Sequence, residues 1–143
     1  MLNEEVLKND LYLLSKGYDK VIEVNLDEDT YFEVKVDEDE QPHIYKSLRT
    51  WVDGFVKGGG VHCEDVERFY EFFDLLQLKK EVILTKKWPR IFYRRKFGEE
   101  FKYVCMEVIP MDNFSHDEPI VLITVKQTAG YIKDFCDQVF FRE

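Results

Sequence analysis

"FYRRKFGEEFKYVCMEVIP", residues Phe92–Pro110, contains two runs in which bulky and polar side chains alternate, joined by a polar hinge around Gly98. Alternation with a period of two is typical of β-strands, and a glycine in a short polar connection is typical of a hairpin turn. The stretch therefore predicts an antiparallel hairpin with strands at Ile91–Lys96 and Phe101–Pro110. What the hairpin is for, whether an active site, a ligand cradle or plain sheet core, depends on the rest of the chain.

The other strands follow from the same pattern. Residues Lys20–Val36 alternate in two runs around the acidic turn Asp27–Asp29, which predicts a second hairpin with one buried face. One further strand is predicted at Ile120–Lys126. Because hairpins supply most of these strands, we expect a five-stranded antiparallel sheet in which the first hairpin lies beside the last strand.

Helical periodicity separates the two hairpins and marks both chain ends. After the predicted N-cap Ser47, apolar residues recur at i, i+3, i+4, i+7 and i+8. A second helix is predicted after Val61, with Glu64 and Asp65 in its first turn, and a shorter one at about Leu78–Leu84. The predicted class is α+β in a single domain, with helices over one sheet face. The predicted parts are an N-terminal helix (1–17), a core (19–127) and a C-terminal helix or signalling linker (130–143).

Composition and charge restrict the partners that we expect. The chain has 143 residues and a formal net charge of -9, which disfavours nucleic acid as a partner. The basic run Arg94–Lys96 is interpreted as a solvated hairpin tip, because two glutamates follow it. No membrane span or signal peptide is evident, and Cys63, Cys105 and Cys136 have no disulfide or metal spacing. A cytoplasmic protein with reduced thiols is expected.

Two segments and their order resemble those of a known family. "VHCEDVERFYEFF" is similar to the helix entry "vHPeDrerf" of PAS sensor domains, with Cys63 in place of the usual proline. The opening stretch is similar to the paired strands "yRrrdGeyrWvr.eiip" of that family, with Tyr103 in place of a common Trp. The resemblance covers about Asp19–Gln127. More narrowly, the chain resembles the divergent PAS-like modules that precede GGDEF diguanylate cyclase domains in Firmicutes.

The resemblance implies a non-catalytic, cytoplasmic sensory or regulatory domain. Such a domain would bind a small apolar or aromatic ligand, or a protein partner, and relay to a GGDEF-like output in cis or to a signalling partner. The flavin motif "NCRFLQ" of light-sensing PAS domains is missing and His62 lies at a helix start, so no cofactor is expected. The residues expected to line a ligand cavity between helices and sheet are Trp51, Phe55, Phe69, Phe73, Tyr103 and Cys105.

Apolar stripes on the terminal helices favour a homodimer over a monomer. A helix at a chain end must bury such a stripe on its own sheet or on a second copy. The expected interface residues are Leu7, Leu11, Leu14, Ile132, Phe135 and Val139.

Enzymatic interpretations are weaker on the sequence. Small cystatin-like α+β isomerases and dehydratases, which hold a buried acid in an apolar cone, are one alternative to a sensor. A pure dimerisation module is another. The acids of this chain cluster in predicted loops, and its three histidines are scattered. We therefore predict no catalytic residue and no metal site, and we interpret Cys105 as a small buried hydrophobe.

Overall fold

The computed structural model describes residues 19–34 and 46–128, which form six β-strands, three α-helices and one 3-10 turn. In chain order the elements are β1 (Lys20–Asn25), β2 (Thr30–Glu33), β3 (Lys46–Ser47), α1 (Leu48–Lys57), the 3-10 turn (Cys63–Asp65), α2 (Val66–Phe72), α3 (Leu75–Thr85), β4 (Arg90–Phe97), β5 (Glu100–Pro110) and β6 (Ile120–Gln127).

The strands form one antiparallel sheet in the order β3-β2-β1-β6-β5-β4. Strand β1 pairs with β2 on one side and with β6 on the other, so the first hairpin lies beside the last strand as predicted. Strands β4 and β5 pair from Arg90 opposite Glu107 to Phe97 opposite Glu100, around Gly98 with its φ of 63°. The α+β class and the hairpin of the opening stretch are confirmed.

The predicted number of strands, five, is wrong, because the sheet has a sixth strand at its edge. Strand β3 has two residues, and they pair with β2 as Thr30 opposite Ser47 and Tyr31 opposite Lys46. Two residues are too few to show alternation, and Ser47 is also the N-cap of the helix that follows. The β2–β3 pairing follows from the position at which the chain enters α1, because that entry places Lys46 and Ser47 beside β2.

Local capping sets where the helices begin. The Ser47 hydroxyl accepts a hydrogen bond from the backbone N–H of Thr50 at 3.2 Å, as its predicted N-cap role requires. Helix α3 begins at Leu75 rather than at the predicted Leu78, because the Asp74 carboxylate accepts from the N–H of Gln77 at 3.1 Å. The cap therefore adds a turn in front of the apolar pattern.

The main core lies between the helices and one face of the sheet. It combines side chains from α1, α2 and α3 with inward-facing residues of five strands. Its fully buried members include Phe69, Tyr93, Val104 and Met106. Burial of this apolar area is the main favourable contribution to folding, at roughly 25 cal/mol per Å².

The opposite face of the sheet is also buried in part, around Val21, Val34 and Leu122. Within residues 19–34 and 46–128, no helix contributes to this second cluster. The prediction of one buried face for the first hairpin is therefore wrong. The four-residue connection sets Tyr31 opposite Val24 and Phe32 opposite Glu23, so Phe32 faces away from the helices.

The outer edge of β4 is closed by the segment that leads into α2. The N–H of His62 donates to the Arg94 carbonyl, and the N–H of Lys96 donates to the Gly60 carbonyl, both at 2.9 Å. The Asp65 carboxylate accepts from the N–H of Arg94 at 2.8 Å, and Arg68 donates to the Phe92 carbonyl at 2.8 Å. An edge strand that would otherwise offer unpaired backbone groups is thereby covered.

A second acidic contact joins the first hairpin to the helices. Asp29, in the turn between β1 and β2, accepts hydrogen bonds from the Ser47 hydroxyl at 3.1 Å and from the N–H of Arg49 at 2.9 Å. In the same turn, both carboxylate oxygens of Asp27 accept from the Lys79 ammonium at 2.9 and 3.2 Å. The acidic turn thus fixes the positions of α1 and α3.

Candidate functional site

Four of the six residues predicted to line a pocket pack their rings together. We call Trp51, Phe55, Phe69 and Phe73 the aromatic cluster. Trp51 stacks on Phe55 with ring centroids 5.4 Å apart, and Phe55 lies 5.9 Å from Phe69. Phe69 lies 5.0 Å from Phe73, which returns to Trp51 at 6.2 Å. These are the separations of favourable ring pairs. The four rings therefore fill the space between α1 and α2 by packing on one another.

The aromatic cluster also contacts both halves of the sheet. Phe69 meets Tyr93 of β4 at 5.0 Å, edge to face, and Trp51 lies 5.9 Å from Tyr31 of β2. Burial raises the pKa of the Tyr93 phenol well above its ordinary value, because the phenolate would lose its hydration. The cluster thus couples the helices to the two strands through neutral, closely packed rings.

The other two predicted pocket residues, Tyr103 and Cys105, lie on the opposite face of the sheet. Their strand neighbours Val104 and Met106 belong to the core under the helices, and successive side chains of a strand point to opposite faces. The guanidinium of Arg94 lies 5.8 Å from the centre of the Tyr103 ring. The structure therefore divides the six predicted residues between two faces.

The basic run at the end of β4 is not a solvated tip. Arg94 donates to both oxygens of the Asp65 carboxylate, at 3.0 and 2.8 Å, and these bonds are the main cause that raises the Arg94 pKa. The guanidinium of Arg95 lies 5.5 Å from the Phe55 ring and 5.3 Å from the Phe97 ring. Both arginines are therefore half-buried and contact other side chains, and Lys96 is the exposed residue of the run.

An open groove lies on the outer side of the aromatic cluster, between α1 and the α2–α3 connection. We call it the α1–α3 groove, and its volume is about 890 Å³, within the size range of ligand sites. Its lining combines an apolar floor with a polar rim. The floor is made of Leu48, Val52, Phe73, Leu75 and Leu76, and the rim of Asp29, Arg49, Asp53, Tyr70 and Asp74.

The rim of the groove carries three carboxylates and one guanidinium. Asp29 and Asp74 are held by the capping bonds described above. The pKa of Tyr70 is raised, first by partial desolvation and then by its hydrogen bond with Asp53. The groove is therefore an apolar surface with an acidic border, suited to a ligand or partner with an apolar body and positive charge.

Sequence reasoning identified one residue of this groove as a site residue, Phe73. The acids of the rim are separated by up to 45 positions, and each has an ordinary local explanation as a turn or cap residue. Asp74 before an apolar run signals a helix start, which is how its position could have been found. That these residues share one groove is a property of the packing of α1 against α2 and α3.

The residues predicted to form a dimer interface lie outside the described part of the chain, so the interface stays a prediction. They are Leu7, Leu11, Leu14, Ile132, Phe135 and Val139. Cys136 and His43 lie outside it as well.

The remaining thiol and imidazole groups have structural contacts. Cys63 carries an exposed thiol, and the thiol of Cys105 is half-buried. The Nδ1 atom of His62 accepts from the N–H of Glu64 at 3.1 Å, which caps the 3-10 turn. Across residues 19–34 and 46–128, no three His, Cys, Asp or Glu side chains are grouped so that they could hold a metal ion.

No helix in the described ranges has both the length and the apolar character needed to cross a membrane. Comparison of the chain with protein-family models gives no match. Comparison with curated proteins likewise gives no match.

Proposed function

We propose that this chain is a non-catalytic sensory or regulatory domain with a PAS-like fold. The observation that carries the proposal is the sheet order, in which a first hairpin lies beside the last strand and the helical connection covers one face. The motif resemblance at Val61–Phe73 and Phe92–Pro110 falls on the elements that this arrangement requires, the entry to α2 and the β4–β5 hairpin.

The binding surface in this proposal is the α1–α3 groove. The rings of the aromatic cluster occupy the inner space, and the groove is an open volume beside them that shares Phe73 with the cluster. Its floor suits a small, largely apolar or aromatic molecule, and its rim offers a few polar contacts that would orient it. A change at the groove reaches the sheet through Phe73, Phe69 and Tyr93, which contact one another in that order.

The ligand part of the proposal is tested by a thermal-shift screen of metabolites against the chain. A ligand at about a hundredfold excess over its Kd adds about 2.7 kcal/mol to the free energy of unfolding. We expect the shift to disappear in Val52→Trp, which fills the floor of the groove, and to persist in the exposed control Glu99→Gln. A hit that Val52→Trp leaves unchanged would place binding elsewhere. Turnover of a compound that this variant abolishes would favour the isomerase alternative.

The relay part of the proposal needs an output such as a GGDEF cyclase. The reading frame after the codon for Glu143 and the neighbouring genes provide the test. A signalling output in frame or adjacent supports the relay. The lack of any signalling gene there would contradict it.

A further inference from the structure

Helix α3 exposes apolar side chains along its outer face. Leu76 is 62% exposed, Ile83 39% and Leu84 81%, at positions i, i+7 and i+8 of the helix. Trp88, just after the helix, is 50% exposed. Single exposed apolar residues are common on monomers, but several large ones on one helix are typical of an interaction surface.

The two ends of this row carry opposite charge. At its C-terminal end the exposed Lys86, Lys87 and Arg90 outnumber the nearby acids Glu81 and Glu107, the second of which lies 3.7 Å from Arg90. We call Leu84, Lys86, Lys87 and Trp88 the basic knob. At its N-terminal end, about 12 Å from Leu84 along the helix axis, Leu76 lines the α1–α3 groove with its acidic rim.

We infer that two copies of this chain pair through α3, with the basic knob of each seated in the α1–α3 groove of the other. A two-fold axis across the middle of α3 runs the two helices antiparallel and makes both contacts at once. Leu84 and Trp88 then cover the apolar floor of the mate's groove. Lys87 meets the acidic rim around Asp53.

Charge complementarity identifies the occupant, because one molecule carries both halves of the contact. With the axis at the middle of α3, Leu76 of each copy lies opposite Ile83 and Leu84 of the other. This surface is separate from the terminal helices, and the pairing does not depend on the proposed function. A small ligand in the groove would compete with the mate's knob.

A substitution at Lys80 distinguishes this pairing from the binding of another partner. It is exposed at the middle of α3, so the two-fold axis brings it close to its own copy. Like charges at that position oppose association. We therefore expect Lys80→Gln to tighten the dimer, whereas an acidic partner of another kind would bind less well to this variant.

The decisive experiment is a charge exchange measured by sedimentation equilibrium from micromolar to several hundred micromolar protein. Lys87→Glu sets a carboxylate against Asp53 of the mate, and Asp53→Lys sets an ammonium against Lys87 of the mate. Each variant alone should dimerise about tenfold or more weakly than the parent, because the pair at positions 53 and 87 becomes repulsive in both symmetric contacts. An equimolar mixture should regain the parent affinity, since each contact of the mixed pair joins opposite charges.

Matched variants separate this interface from general charge effects. Lys96→Glu and Glu99→Lys make the same charge changes on exposed sites of the β4–β5 hairpin, and should leave the dimer unchanged. Leu84→Asp should give a monomer with an unaltered far-UV circular dichroism spectrum. A parent that is monomeric throughout the concentration range overturns the inference, as does a dimeric Leu84→Asp. A mixture no tighter than its components, or a monomer that binds anionic vesicles through Leu84, also overturns it.

Discussion

The helical layer is attached to the sheet by carboxylates in two places, and the two attachments differ in burial. Asp65 is completely buried and accepts from the backbone and the guanidinium of Arg94. The turn acids Asp27 and Asp29 sit at the other end of the sheet, where the side chain of Asp27 is 46% exposed. A buried carboxylate that loses its partners costs far more than an exposed one, because water cannot replace them. We therefore expect the loss of the carboxylate to lower the free energy of unfolding more at Asp65 than at the turn acids.

The largest expected effect is at the buried attachment. Asp65→Ala should lower the free energy of unfolding by about 3–5 kcal/mol, since it leaves the Arg94 N–H and guanidinium without their buried acceptor. Glu64→Ala is the matched control, because Glu64 binds the same guanidinium at 3.2 Å but is 69% exposed. Its removal should cost less than about 1 kcal/mol. Urea denaturation measures the free energy of unfolding of both variants. Equal losses would contradict the expected difference between a buried and an exposed carboxylate.

The second effect concerns the segment that the Asp65 attachment holds against β4. A Cβ on Gly60 would lie 2.5–2.8 Å from atoms of the Phe55 ring, so Gly60→Ala should displace that ring and cost about 1–3 kcal/mol. A Cβ on Gly54, inside α1, meets nothing within 4 Å. Gly54→Ala should stabilise by about 0.5–1 kcal/mol, because alanine loses less backbone entropy. The midpoint of thermal unfolding checks both predictions: it should fall below that of the parent in Gly60→Ala and rise above it in Gly54→Ala.

A smaller effect is expected at the half-buried Asp29 of the turn attachment. Asp29→Ala removes the acceptor of the Arg49 N–H at the start of α1, which should cost about 0.5–2 kcal/mol. The backbone of Asp29 has a φ of 51°, a conformation that asparagine tolerates better than alanine. Asp29→Asn should therefore cost less than Asp29→Ala in the same urea titration. The reverse order would show that the carboxylate charge, rather than the cap and the turn, stabilises this end.

The smallest effect on stability at neutral pH is expected at Tyr93, the residue of β4 that precedes Arg94. Its folded pKa is raised above the ordinary value of 10.0 by burial. The stability linked to its neutral form is complete below pH 10 and is lost as the pH rises toward the folded pKa. Tyr93→Phe should therefore flatten the decline in unfolding free energy above pH 10. An unchanged alkaline profile would mean that other groups cause that decline.

Much of the architecture could be predicted from the sequence because its signals are local. Alternation in Phe92–Pro110 identified the β4–β5 hairpin, and a cap at Ser47 with a clean apolar stripe identified α1. Periodicity also selected Trp51, Phe55, Phe69 and Phe73, which the fold brings into one cluster. These features depend on neighbours within one or two turns, which is the range over which sequence patterns carry information.

Register, faces and shared surfaces were decided by tertiary structure. The connection between β1 and β2 set which side of the sheet Phe32 faces, and a two-residue pairing added β3 to the edge. Arg94, in a run that the sequence suggested was solvated, is bound to an acid 29 positions away. The α1–α3 groove likewise gathers residues from Asp29 to Leu76. Sequence determines which residues can form a strand, cap or stripe, but contacts between distant segments form only when whole elements pack, because packing selects among many locally acceptable arrangements.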